Sequence, residues 1–105
     1  MENSIKRPMI VLRMNVSQGK EEEFNQWYAT SHIPDIKERF PNPLAKRFVS
    51  IDEHERNYLT LYEFLSPEKL DETREITKDQ SRPEKRDWDK WEKLCVKQFE
   101  RFYCY

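Results

Sequence analysis

From Met9 to Val16 apolar residues recur with period two, placing Ile10, Leu12, Met14 and Val16 on one side and Val11, Arg13 and Asn15 on the other. That alternation predicts a strand. The polar residues 1–8, ending at Pro8, are expected to be a loose leader. After Ser17-Gln18-Gly19 the period changes. Phe24, Trp27, Tyr28 and Ser31 follow the i, i+3, i+4, i+7 rule of an amphipathic helix opened by Ser17 or Gln18. Glu21, Glu22 and Glu23 suit the positive end of its dipole. Pro34 interrupts this helix by removing an N–H and pushing Ile33 out of the α region. A short second piece is predicted over Pro34–Arg39, with Ile33, Ile36 and Phe40 inward, and Pro41-Asn42-Pro43 reads as a turn.

Leu44–Ile51 reads as the second strand, the polar Asp52–Asn57 as a hairpin loop, and Tyr58–Phe64 as the third strand. Ser66-Pro67-Glu68 marks a helix start, with the serine as cap and proline at the first position. That helix carries a weak stripe (Leu70, Ile76) and is expected to fray near Ser81; Pro83–Leu94 is a further helical segment bearing Trp88 and Trp91. Val96–Tyr105 alternates enough for a final strand. The order β-α-β-β-α-β predicts a single α+β domain of ferredoxin-like topology: a four-stranded antiparallel sheet with its helices on one face.

Two helices on one face leave the other side of such a sheet uncovered. Ile10, Leu12, Met14 and Val16, together with Leu59 and Leu61, are assigned to the covered face; Val11, Arg13, Asn15, Tyr58, Tyr62 and Phe64 fall on the open one. An open face of an antiparallel sheet should be cleanly polar, and a large exposed aromatic patch marks an interface. A homodimer through the sheet face, closing into an α+β barrel, is therefore expected.

The chain has 105 residues, 37% charged and 13% aromatic, with a net charge of −1. The aromatic content and periodicity distinguish it from a disordered chain. Interleaved charges of both signs give no case for nucleic acid or an anionic membrane. An RNA-recognition module shares the strand order, but its third strand needs a basic-Gly-aromatic signature, which Tyr58–Phe64 lacks. The longest apolar run, Met9–Leu12, is far short of a membrane span, and no signal-peptide pattern opens the chain, so a cytoplasmic location is the expectation. Cys95 and Cys104 on one terminal strand would stand about 30 Å apart at about 3.3 Å per residue, too far for a bridge, and are read as reduced thiols. Two histidines 22 residues apart fit no metal-ligand spacing. A single glycine excludes a Gly-rich phosphate loop. No cofactor is expected.

The stretch Phe24-Asn25-Gln26-Trp27-Tyr28-Ala29-Thr30-Ser31-His32-Ile33-Pro34-Asp35-Ile36 resembles the first helix of the dimeric α+β barrel superfamily, specifically its EthD-like members. Ala45-Lys46-Arg47-Phe48 and Tyr58-Leu59-Thr60-Leu61-Tyr62-Glu63 resemble the second and third strands of that group, and the match spans residues 9–64. Pro41-Asn42 stands where such proteins usually have Pro-Gly. Related barrels include cofactor-independent isomerases, polyketide cyclases, dehydratases and monooxygenases. The resemblance therefore implies a small enzyme of isomerase, cyclase, dehydratase or decarboxylase type, acting by acid/base chemistry on a small carbonyl-bearing or aromatic metabolite. The alternative is a non-catalytic homodimeric barrel that binds a ligand or a protein.

In this topology the ends of the first helix, third strand and fourth strand meet at one edge. His32 is therefore expected near Glu63, Tyr103 and Tyr105, with Tyr28 one turn before it on the same helix face. His32 is the acid/base candidate, Glu63 its orienting carboxylate and Tyr28 an assistant. A carbonyl-rich helix end and that carboxylate would favour the protonated ring. Arg13, Asn15 and Tyr62 are the candidate substrate-binding groups, able to hold a carboxylate or an enolate oxygen. Against these stand structural roles: His32 locking the helix break, Glu63 paired with Arg47 or Lys46, Arg13 bridging the dimer, and Phe24, Trp27 and Tyr28 as core. His54 reads as a solvated loop residue. Trp88 and Trp91 read as covering the second helix face or a partner.

Overall fold

The computed structural model describes residues 7–40, 43–50, 57–79 and 81–105. The elements are β1 (Met9–Val16), α1 (Glu21–Trp27), a π-helical turn (Tyr28–His32), α2 (Ile33–Arg39), β2 (Leu44–Val49), β3 (Asn57–Glu63), α3 (Pro67–Thr77), α4 (Pro83–Cys95) and β4 (Val96–Cys104). The strands form one antiparallel sheet in the order β2-β3-β1-β4, the expected ferredoxin-like α+β arrangement. His54 and most of the leader and hairpin loop lie outside the described residues. Pro8 does not behave as leader: it is buried, and its carbonyl accepts a 2.9 Å hydrogen bond from the Phe64 N–H.

The register decides which side chains share a face. Ile10 pairs with Tyr62, Leu12 with Thr60 and Met14 with Tyr58; on the other flank the same three residues pair with Tyr103, Arg101 and Phe99. Directly paired residues project to the same side. The helix-covered face of β3 is therefore Tyr58, Thr60 and Tyr62, which join Phe24, Trp27, Tyr28, Leu70 and Trp88 in the buried core. This reverses the expected assignment of β3, in which Leu59 and Leu61 faced the helices. The reason lies in the hydroxyls. Tyr58 donates to Glu21 and accepts from the Asn25 amide at 3.1 Å, and Tyr62 meets Tyr28, so the helices supply the polar partners that a buried tyrosine needs.

Leu59 and Leu61 lie instead on the open face. Cross-strand rows there read Lys46-Leu61-Val11-Phe102 and Phe48-Leu59-Arg13-Glu100. Leu44, Phe48 and Phe102 are each about half exposed, at 48%, 52% and 47%. The open face thus carries exposed apolar side chains interleaved with Lys46, Arg13 and Glu100, and of the expected set it keeps Val11 and Arg13 but not the tyrosines.

Helix starts follow local chemistry. The Ser66 hydroxyl accepts from the Lys69 N–H at 3.3 Å, with Pro67 in the first turn. Trp88 and Trp91 of α4 stack on Trp27 at 6.2 and 5.1 Å between ring centroids, so both tryptophans join α4 to α1. Cys95 ends α4 and Cys104 ends β4, and both are free thiols. Among the described residues, no helix is long and apolar enough to cross a membrane.

Candidate functional site

Pro34 shapes the site before any side chain does. Without its N–H the regular α ladder cannot continue, and the chain answers with one wider turn. The Ile33 N–H reaches back five residues to the Tyr28 carbonyl, after which α2 starts with Pro34 in its first turn. Helix direction survives where the sequence predicted an interruption. The turn draws Tyr28 and His32 together, with ring centroids 4.7 Å apart.

His32 is 6% exposed and lies among Trp27 (4.9 Å), Tyr28 and Trp88 (5.3 Å). Burial, assisted by the Arg47 guanidinium, lowers its pKa from 6.5 to about 4. The ring is therefore neutral at neutral pH, contrary to the expected protonated form. Desolvation outweighs a helix-end dipole, and the carboxylate expected to support the charge is elsewhere. Among the described residues the imidazole nitrogens have no hydrogen-bond or ion-pair partner.

Behind His32, the Tyr28 and Tyr62 hydroxyls lie 3.3 Å apart. Burial raises the pKa of both phenols, Tyr62 further because Tyr28 is beside it, so both keep their protons. Arg47 lies over the Tyr28 ring at 4.0 Å and the Tyr58 ring at 5.2 Å. Its Nε and Nη2 are buried without hydrogen-bond partners, leaving the aromatic faces as the guanidinium's main company.

The structure brings His32, Tyr28 and Tyr62 together and separates the other three candidates from them. Glu63 follows Tyr62 in an extended strand and so points to the open face, where it lies 3.7 Å from Arg7. It orients nothing at His32, and it pairs with neither Arg47 nor Lys46. Arg13, also on the open face, lies 3.8 Å from Glu100. Asn15 is buried at the end of β1, where the β1–β4 register shifts. Tyr103 does come to the His32 pocket, but Tyr105 instead donates to Asp71 at 2.6 Å and accepts from Arg74 at 3.0 Å.

The pocket itself, about 80 Å³, lies between the covered sheet face and the helices. Ile10, Leu12, Phe64 and Phe99 line its sheet side, Ile36 and Trp88 its helix side, and His32 and Tyr62 supply polar atoms. Thr73, Arg82, Glu84, Lys85 and Arg101 also line it. These five were missed from sequence. For Arg101 a signal existed: Phe99-x-Arg101-x-Tyr103 is the alternation that places it on the covered face. Glu84 is 3% exposed. Its Oε1 accepts from Arg82 at 3.1 Å, and its Oε2 lies 2.9 Å from Arg39 Nε, close but poorly aligned for a hydrogen bond. It ties α2 to the start of α4. Among the described residues, no group of His, Cys, Asp and Glu could hold a metal ion.

No family model matches the chain, and no curated protein does. Solved structures do. A NIPSNAP family protein from Agrobacterium tumefaciens superimposes with a TM-score of 0.71 at 10% identity, covering 95% of this chain and 92% of its own. A NIPSNAP domain protein from Burkholderia xenovorans gives 0.70 at 10% identity, with 93% and 92% covered. A NIPSNAP-like domain protein from the same organism gives 0.70 at 11%, with 94% and 84% covered. At such identities the likeness concerns the fold alone: this chain has the ferredoxin-like α+β arrangement of these NIPSNAP structures.

Proposed function

We propose that this chain binds a small, largely apolar, carbonyl-bearing or aromatic metabolite in the His32 pocket and acts on it without a cofactor. The carrying observation is a pocket of mostly apolar lining that presents two uncharged hydrogen-bonding groups, His32 and Tyr62, alongside Thr73, Arg82, Glu84, Lys85 and Arg101. Its volume, about 80 Å³, is smaller than the roughly 150 Å³ cavity that takes a benzene ring whole. Only a small body enters, with the remainder in the open mouth.

A ring with pKa about 4 is poorly matched to shuttling protons at neutral pH. A neutral imidazole N–H can still donate a hydrogen bond to a carbonyl oxygen and polarise it, with the Tyr62 phenol as a second donor. The reading is therefore electrophilic activation by His32 and Tyr62, with Tyr28 bonded to Tyr62 from behind. We assign the chain to the EthD-like branch on the Trp27-Tyr28…His32-Ile33-Pro34 pattern. We further read it as a cytoplasmic homodimer paired through its open sheet face, where Leu61, Val11 and Phe102 form an apolar row.

A second reading, a non-catalytic ligand-binding dimer, is favoured by one observation: Glu63 lies across the sheet from His32. A thermal-shift screen of small ketones, aldehydes and aromatic compounds tests binding. A ligand at 100 times its Kd stabilises by about 2.7 kcal/mol, and His32→Ala should remove the shift. Failure of every compound to stabilise the protein counts against the pocket. Turnover that survives His32→Ala, with the fold intact by circular dichroism, removes His32 from the chemistry.

A further inference from the structure

Charge is distributed unevenly around the pocket. Arg82 and Arg39 both serve Glu84, and Lys85 is paired with Asp89. Arg101 also lines the pocket and has no carboxylate within ion-pair distance among the described residues; its one recorded ring contact is Phe99, at 5.3 Å. The pocket lining thus holds three cations (Arg82, Lys85 and Arg101) against one carboxylate (Glu84), in a chain whose net charge is −1. His32, being neutral, adds nothing to this excess.

The position of Arg101 is as telling as its charge. By register with Leu12 it lies on the helix-covered face of β4, between Phe99 and Tyr103, where alternation otherwise places aromatic residues. A guanidinium there adds little to the core. Its fork of donors matches a carboxylate in two-point geometry, and partial shielding strengthens such a contact over a fully solvated one.

Building on the ligand-binding reading of the same pocket, we propose that its ligand is a small monocarboxylate. Arg101 takes the carboxylate at the mouth, and the apolar or aromatic body reaches part-way in, past the Phe99 and Trp88 rings that touch each other at 5.2 Å between centroids, toward His32 and Tyr62. A carbonyl on that body would meet the His32 and Tyr62 donors, so the substrate class narrows to small aryl- or branched-alkyl carboxylic acids, including their keto acids.

The test is a calorimetric comparison of benzoate, phenylacetate, phenylpyruvate and isovalerate with benzamide, phenylacetamide, benzaldehyde and 4-methylpentan-2-one. The full-length protein is used with its Arg101→Gln and Arg101→Lys variants. Carboxylates should bind at least tenfold more tightly than their amides. Arg101→Gln should erase that preference while leaving the neutral compounds unaffected, Arg101→Lys should keep part of it, and added salt should weaken only the carboxylates. Because Arg101 is exposed, both variants should fold, which circular dichroism verifies. Equal binding of acids and amides, or a preference that survives Arg101→Gln, overturns the carboxylate assignment. If only the neutral carbonyl compounds bind, and do so through His32, the assignment falls while the ligand-binding reading stands. Binding by none of the compounds sinks both.

Discussion

Lowering the pH from 7 to 4 asks the His32 ring to take a proton in a setting built to refuse it. In the unfolded chain the ring protonates near 6.5; folded, it does so only near 4. Between those values the unfolded state holds more protons than the native one, so stability falls as the pH falls. The native state is unaffected by this group above 6.5, and the whole loss has been incurred below 4. At about 1.4 kcal/mol per pH unit the loss sums to about 3 kcal/mol, a large share of the 5–15 kcal/mol typical of a domain. The perturbation that isolates it is His32→Gln, which removes the titration and keeps a polar group of similar reach. Urea unfolding of both proteins at pH 7, 6, 5 and 4 gives two stability curves, and titrations common to both, such as those of carboxylates, cancel in the difference. The wild type should lose about 3 kcal/mol relative to His32→Gln over this range. Parallel curves would refute the reasoning, as would a His32 ring proton resonance titrating at 6 or above.

Three other outcomes follow from the packing. Leu70 has no exposed surface, so Leu70→Ala should cost about 2–5 kcal/mol in urea unfolding; a loss below 1 kcal/mol would mean that α3 is not seated on the core. Glu84→Gln removes the shared partner of Arg39 and Arg82, and should destabilise by about 1–3 kcal/mol, less than a fully buried pair because Arg39 is half exposed. Phe48→Glu places a charge on the open face, and should turn the proposed dimer into monomers by light scattering without loss of circular dichroism; a wild-type protein that is already monomeric at working concentration defeats the pairing argument.

Element types and order were legible because segments carry a clear period or a cap: period two in Met9–Val16, a helical period in Phe24–Ser31, and capping chemistry at Ser66-Pro67 where the stripe is weak. The face of β3 was not. Tyr58, Thr60, Tyr62 and Phe64 alternate with Leu59, Leu61 and Glu63, so both parities carry apolar surface, and ranking leucine as the more buried type chose the wrong one. Because neighbours on a strand point to opposite sides, that choice put Glu63 on the helix-covered side beside His32 and Tyr62 on the open face with Arg13 and Asn15; the register exchanges them. The pairing of His32 with Tyr28 was readable from helical spacing alone. Protonation of His32 was misjudged because a sequence names nearby charges but not how many aromatic rings will enclose a side chain. Arg82, Glu84 and Arg101 converge from α4 and β4, and only the folded chain shows that convergence.

The wide turn at Tyr28–His32 holds one more residue than the α turn it replaces. Ala29, exposed within it, contributes nothing to the core, and its deletion would rewind the segment to an ordinary α turn while leaving everything beyond close to its present phase around the helix axis. Pro34 opposes that rewinding, because in a regular α turn its ring would meet the carbonyl four residues before it. When distant relatives are compared, a one-residue gap at this spot should therefore go with loss of the proline rather than with loss of the ring cage.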